Sequence, residues 1–327
     1  MINEKYLNAL VALLLLAVPI VAWFFDEPFA ITLATKVAIL ALAGVGLNLA
    51  LGYGGLVSLG HATFFGLGGY TMGVLASHAQ TYTPLLETPI LIDGTKSMPL
   101  IWLVAIILSG LVAFIIGLLC LRTSGVYFIM VTLAFGQMFY YFMISWPAYG
   151  GEDGLSIYVR NNFPGLNTLD PIQFFAICFA LLMLIIYLMS KLNASAFGLA
   201  LNSARQNNQR VKSVGISPYK LQLIAFTISG AITGLAGALY ADLNRFVSPS
   251  MFSWQTSGEL MMFVILGGVA RLYGPVVGAA IFIILEHYLG ALSEYWHIYL
   301  GVILLLVVLF AKGGLIGSIA YKDYQRE

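Results

Sequence analysis

Arg205, Arg210, Lys212 and Lys220 fall within residues 193–220, a stretch with no Asp or Glu, in the middle of a chain that is otherwise strongly apolar. A short basic segment of this kind can do two things. It can dock a partner or an anionic surface, or it can simply fix which side of a boundary it occupies. A second group is the run Gly52, Tyr53, Gly54, Gly55 followed by Ser58, Gly60 and His61. Glycine-dense polar chain beside apolar helices can line a pathway, because non-helical backbone within a membrane survives only where protein or water satisfies its amides and carbonyls. Asn48 and Thr132 join Tyr53, Ser58 and His61 as candidate pathway residues; a plain turn, with His61 as a structural histidine, is the other reading. The third group is Lys36, Glu259 and Glu286, single charges inside apolar stretches. A Lys36 pair with Glu286 or Glu259 is expected, as structure or as part of a substrate site.

Other chemistries find no support. No nucleophile, base and orienting group share a useful spacing, and nothing resembles the G-x-x-x-x-G-K-[ST] loop that cradles nucleotide phosphates. Neither a nucleotide nor another cofactor is therefore expected on this chain. Cys120 and Cys178 lie in apolar runs and read as packing residues, so neither a disulfide nor a metal site is expected. The basic residues are not interleaved with aromatics as in a nucleic-acid surface.

The elements that must position these groups follow from composition. The 327 residues are 60% hydrophobic and 9% charged, with a mean hydropathy of +0.93, which leaves too little polar surface for a soluble domain. An apolar helix needs about 20 residues to cross a bilayer core. Ten stretches qualify: 7–25, 31–51, 62–77, 99–121, 126–146, 171–192, 221–241, 253–270, 274–292 and 298–311. The first is too long for a signal-peptide core and is followed by Asp26-Glu27-Pro28 instead of a cleavage site, so it reads as a retained span. The chain is expected to be one all-α transmembrane domain, 1–327.

Threaded with both termini cytoplasmic, ten spans put Lys5, Arg122, Lys191, Arg205, Arg210, Lys212, Lys220, Arg271, Lys312, Lys322 and Arg326 inside. Only Lys96, Arg160 and Arg245 fall outside, with Asp26, Glu27, Glu87, Asp93, Glu152, Asp153, Asp170, Asp242 and Glu294, a sorting that follows the positive-inside rule. An odd count breaks it. Lys36, Glu259 and Glu286 then all lie in the outer half, five to seven residues from the external ends of their spans. Spans one to five and six to ten run in opposite senses, the arrangement of an inverted repeat; Leu67-Gly68-Gly69 and Leu266-Gly267-Gly268 are its faint echo. Gly69 and Gly73, Gly230 and Gly234, and Gly274 and Gly278 have the spacing that lets helices approach closely.

Within 193–220, Ser203 and Gln206 have capping-box spacing, Gly215 suits the residue after a helix end, and Pro218 discourages continuation. These signals predict one short helix. Ala204, Val211 and Val214 fall near one face and Arg205, Gln209 and Lys212 form another, so it either docks into a partner or lies as a solvated loop on lipid.

The stretches GVGLNLALGYGGLVSLGHATFFGLGGYTMG (44–73), LRTSGVYFIMVTLAFG (121–136), GGEDGL (150–155), ISGAITGLAGALYA (228–241) and SGELMMFVILGGVARLYGPVVG (257–278) resemble the LivM-type permeases of bacterial branched-chain amino-acid ABC importers. The resemblance runs in order over about 31–317. It implies the ABC-importer permease fold in the bacterial inner membrane, beside a LivH-type permease subunit, two cytoplasmic ATPases that bind the ATP, and a periplasmic binding protein. It implies that 193–220 is a cytoplasmic coupling loop whose short helix sits in a cleft of the ATPase, which involves Ser203, Arg205, Asn207, Arg210, Val211, Val214 and Gly215. Such permeases typically carry two small alanines where Arg210 and Val211 stand, so the cleft must accept a bulkier, charged surface. Loops 78–98 and 147–170 are the expected landing surface for the binding protein, or plain connections. A related permease for urea, amides or small carboxylates is the nearest alternative, and an ion-coupled carrier using Glu259, Glu286 or His61 is a more distant one.

Overall fold

The structure, a computed structural model, describes residues 2–82, 84–86, 92–292, 295–311 and 313–321. Glu87, Glu294, Lys312, Lys322 and Arg326 lie outside the described residues, and with them the last part of the expected internal carboxyl terminus. Ten helices stand where the ten apolar stretches were expected. They are α1 (Glu4–Phe24), α2 (Pro28–Asn48), α3 (His61–Thr81), α4 (Met98–Cys120), α5 (Val126–Ile144), α6 (Pro171–Ala194), α9 (Pro218–Asn244), α10 (Trp254–Gly267), α11 (Gly274–Leu292) and α12 (Trp296–Phe310). Between α6 and α9 lie α7 (Ala196–Gln206) and α8 (Asn208–Ser213), and a short α13 (Gly314–Ile319) follows α12.

Among the described residues seven helices are long and apolar enough to cross a membrane on their own: α1, α2 with its extension to Tyr53, α4, α5, α6, α9 and α11. The other three depart for separate reasons. α3 has 21 residues but carries His61, three threonines and several glycines, whereas α10 and α12 have 14 and 15 residues.

Helix starts follow local chemistry. Pro28, Pro99 and Pro218 stand in first turns, where no amide is lost. Asp170, Ser195, Asn207 and Ser253 each accept a backbone N–H as N-caps of α6, α7, α8 and α10. α2 and α9 are the core, buried along most of their length, and α3, α4, α10 and α11 pack around them.

Glycine makes these crossings close. A Cβ on Gly68 would lie 1.8 Å from the Gly234 carbonyl oxygen, one on Gly237 the same distance from that of Phe65, and one on Gly278 1.9 Å from that of Phe263. Backbone therefore meets backbone between α3 and α9 and between α10 and α11. The two Leu-Gly-Gly segments play different parts: Gly68 lies mid-helix against α9, whereas Gly268, at φ +128°, ends α10.

Hydrogen bonds between loops define two faces. On one, Arg271 meets Glu4 at 3.3 Å, Tyr219 Oη donates to Leu118 O, and Asn48 binds the α10–α11 turn. On the other, Ile157 N donates to Arg245 O and Met98 N to Asn162 O, and Leu155–Ser156 pairs antiparallel with Phe246–Val247. The first face holds the central basic loop and is called here the basic face; the second is the acidic face. Ile2–Asn3 pairs in parallel with Ala320–Tyr321, which puts the two described ends on one side.

Candidate functional site

The glycine-rich run does not form a simple turn beyond α2. Leu49–Tyr53 extends α2 as a π-helical turn, and the chain then doubles back as non-helical residues 54–60. How far it returns is set by His61. Its Nε2 lies 2.8 Å from Ser229 Oγ, and that hydroxyl donates to Gly46 O at 2.6 Å. Gly46 is seven residues before Tyr53, so α3 starts about 10 Å inside the end of α2.

Since the Ser229 proton goes to Gly46, the serine oxygen accepts from His61 Nε2–H, which leaves Nδ1 a buried acceptor without a partner among the described residues. Phe64 and Phe226 pack edge-on against the imidazole. Ser58 Oγ accepts from Gly60 N. A Cβ on Gly60 would stand 2.7 Å from Thr132 O on α5, and buried Thr132 donates to Ile129 O. The fold thus brings Ser58, His61 and Thr132 to one buried place, while Tyr53, at the end of the π-helical turn, stands near Glu4 instead.

Asn48 lies apart from them. Its Oδ1 accepts from Ala270 N at 3.0 Å and its Nδ2 donates to Arg271 O at 2.8 Å. Ala270 has φ +61°, a left-handed conformation that costs a non-glycine residue about 1 kcal/mol, and Asn48 holds it there.

A second dip enters from the acidic face. Cβ atoms on Gly73, Gly69 and Gly66 would touch Val247, Met251 and Phe252 in turn, so residues 246–252 follow α3 inward. The dip ends where Ala62 N donates to Ser257 Oγ at 2.8 Å. This explains the shortness of α10, which begins inside the bundle. Glu259, in the second turn of α10, stays within electrostatic reach of Glu286 and Lys36, so the three intramembrane charges remain one group. Ser229, Ser257 and Thr63, whose buried Oγ1 has no partner among the described residues, were not picked out from sequence. Ser229 and Thr233 had a usable signal, since both are polar at i, i+4 on the small-residue stripe of α9.

Lys36 and Glu286 do pair. Lys36 Nζ donates to Glu286 Oε2 at 2.9 Å and Oε1 at 3.2 Å. The pair borders a groove of about 460 Å³ with Phe29, Leu243, Ile283 and His287, and its side chains are 27% and 34% exposed.

The central loop holds two helices, not one. Ser203 donates to Leu199 O within α7 and caps nothing. Asn207 is the cap, accepting from Gln209 N and Arg210 N, and its extended backbone breaks α7 from α8. Gly215, at φ +86°, ends α8 as expected. Its N–H bonds Lys212 O, and Ile216 N bonds Val211 O, the paired closure of a Schellman turn. Ser203, Asn207, Arg210, Val211, Val214 and Ile216 line an open groove of about 580 Å³. Leu201, Ala204 and Val211 are buried, but Val214 is 77% exposed. Arg205 points the other way, donating to Gly52 O with its stem against Gly55. It ties α7 to the start of the doubled-back segment.

On the acidic face, Arg160 donates to Asp242 O, Thr168 O and Leu243 O and stacks over Phe174 at 4.3 Å. Desolvation pulls its pKa below the usual arginine value and nearby Asp242 opposes this, so it stays a cation. Loop 147–170 is thereby fastened to the end of α9, with Tyr158 and Leu169 outward.

An apolar bundle entered from both faces by chain that is not α-helical suits passage of a small solute, and no reacting groups are assembled among the described residues. Residues 29–309 match the family described as branched-chain amino acid transport system / permease component. The chain is 28% identical to the LivM high-affinity branched-chain amino acid transport system permease protein of Escherichia coli, over 94% of this chain and 74% of that one, and equally to its Salmonella typhimurium counterpart. A probable LivH permease protein of Methanocaldococcus jannaschii is 26% identical over 42% of this chain and 44% of its own. No solved structure matches. With most of its length covered by that match, and multiple helices apolar enough to span a membrane, this chain is a multi-pass membrane protein of the branched-chain amino acid transport permease family.

Proposed function

We propose that this chain is the membrane subunit of an ATP-driven importer that passes branched-chain or similarly small amino acids inward. It works beside a LivH-type subunit, with ATP bound by two cytoplasmic ATPases and substrate delivered by a periplasmic binding protein. The basic face is the cytoplasmic one, which keeps Lys and Arg inside, and the termini lie there. The carrying observation is the Arg205 contact: α8 and its groove form an exposed foothold, and Arg205 joins the adjoining α7 to Gly52 and Gly55. A push on α8 reaches the doubled-back chain through one side chain.

Ser203, Asn207, Arg210, Val211, Val214 and Gly215 form the ATPase foothold. Tyr53, Ser58, His61 and Thr132 flank the solute's path, and Asn48 braces its basic-face end. The halves form an inverted repeat, a reading supported by the matched order of long α2 and α9, each followed by a dip that is not α-helical and then by α3 or α10. The test is co-purification from native membranes with identification of the bound subunits, followed by the ligand of the co-purified binding protein. An ATPase and a LivH-type subunit are expected. Recovery with neither, or uptake by the purified chain alone on a pH gradient, refutes the reading; a urea or amide ligand shifts only the substrate.

A further inference from the structure

A cavity of about 350 Å³ opens on the basic face between the α4–α5 turn, α8 and the start of α9. Arg122, Ser124, Asn208 and Lys212 stand around it. Neither Arg122 nor Lys212 has an ion-pair partner among the described residues. Two cations facing one cavity, with no carboxylate lining it, repel each other unless an anion lies between them. Asn208 and Lys212 are four apart, so they share the face of α8 turned toward the bundle, while Arg210 and Val214 border the groove on the other side. The cavity is therefore separate from the foothold.

Its floor differs in kind. Leu56, Leu121 and Phe128 line it, and beside it α4 and α5 present Leu119, Val126 and Met130 to the outside, an apolar track running toward mid-membrane. Tyr219, whose hydroxyl is fixed on Leu118 O, makes one wall. Two cations, the Asn208 amide and the Ser124 hydroxyl around the cavity, with an apolar track beside it, are the features of a basic lipid site between transmembrane helices.

We propose that this cavity binds the phosphate of an anionic phospholipid, with an acyl chain along α4 and α5, and that the lipid bridges the α4–α5 turn to α8. A free phosphate has the same charge but no use for the apolar track, so the lipid is the occupant the site favours. The lipid's consequence for transport rests on α8 being the ATPase foothold; its binding does not.

The test uses the purified full chain in detergent, offered equal phosphatidylglycerol and phosphatidylcholine, with bound lipid counted by native mass spectrometry. Two cations near a phosphate give a preference of roughly 10- to 30-fold for the anionic lipid. Arg122→Gln with Lys212→Gln is expected to abolish it, and Lys191→Gln with Arg210→Gln, an equal charge loss on the same face, to keep it. An unchanged preference in the first pair overturns the proposal. So does displacement of the lipid by millimolar inorganic phosphate, which would make free phosphate the ligand. Should the first pair fail to fold, wild-type protein is irradiated with phosphatidylglycerol bearing a photoreactive acyl chain. Adducts are expected within 119–130, and their absence there overturns the site. If α8 crosslinks to no ATPase while the lipid preference persists, only the transport reading fails.

Discussion

Removing the Arg205 side chain tests the link between foothold and pathway most directly. Its guanidinium donates to Gly52 O, and its stem meets the space where Gly55 would carry a Cβ. A hydrogen bond from a charged donor contributes about 1.5–3 kcal/mol. This one is only part-buried, which moves the figure toward about 1–1.5 kcal/mol, or roughly a 5- to 12-fold loss of the joined state. Arg205→Met keeps the stem and loses the bond, whereas Arg205→Ala loses both. Uptake per unit of membrane-inserted protein should therefore fall about fivefold or more in Arg205→Met and further in Arg205→Ala. ATP hydrolysis by the assembled complex should continue, because α8 and its groove are untouched. Full uptake in Arg205→Ala, at normal abundance, refutes the idea that motion crosses from α7 to Gly52. A fall in uptake matched by an equal fall in ATP hydrolysis refutes it differently, since it would put Arg205 in the foothold.

Three further outcomes follow. Gly68→Val drives side-chain atoms into the Gly234 carbonyl, where neither backbone can yield cheaply, so it should destabilise by about 3 kcal/mol or more and appear as lost folded protein on size-exclusion chromatography; a normal elution profile would contradict the backbone contact. Lys36→Met strands Glu286 in a partly exposed groove and should lower thermal stability by about 1–3 kcal/mol, with much of the loss recovered in Lys36→Met/Glu286→Gln. Equal stability of the single and double variants would mean that the two do not interact. Asn48→Ala removes two hydrogen bonds from the α10–α11 turn and should cost about 2–4 kcal/mol, read as a lower melting temperature in detergent; an unchanged melting temperature would deny Asn48 its bracing role.

The positions of the helices were legible because hydropathy alone marks stretches long enough to be buried or lipid-facing. The Lys36–Glu286 pair was legible as well, since a charge within an apolar helix needs a partner and few were on offer. Choosing between Ser203 and Asn207 as the cap was harder: both carry the right oxygen. The outcome depends on Ser195 having started α7 eight residues earlier, so that Ser203 is already inside a helix. The bracing contacts of Asn48 were not legible because its partners lie 222 and 223 residues away, a separation that pattern reading within a window cannot bridge. The inward course of 246–252 was missed for a related reason. A hydropathy window assumes each apolar run starts at the membrane boundary, whereas 246–252 takes up that depth as a two-residue strand and a 3-10 turn.

These contacts also decide which part of the bundle can move. α9 meets α3 at Gly68 and Gly237 with backbone against backbone, and sliding either helix would drive neighbouring side chains into carbonyls, so that crossing acts as a stiff core. Segment 54–60 has no helical ladder of its own. It is held by the Gly54 and Leu56 amides on Leu49 O and Ala50 O, by the Arg205 stem against Gly55, and by the His61–Ser229 bond just beyond its end, while the Ser58–Gly60 bond lies within it. Each of these bonds contributes about 1 kcal/mol or a little more, small beside the energy available from ATP-driven closure of a partner. A displacement entering at α8 should therefore deform 54–60 before it disturbs α3 against α9, and it should emerge at Ala62 and Ser257, where the two dips meet. The glycines that set this contrast are the same ones that let the polar chain enter the bundle.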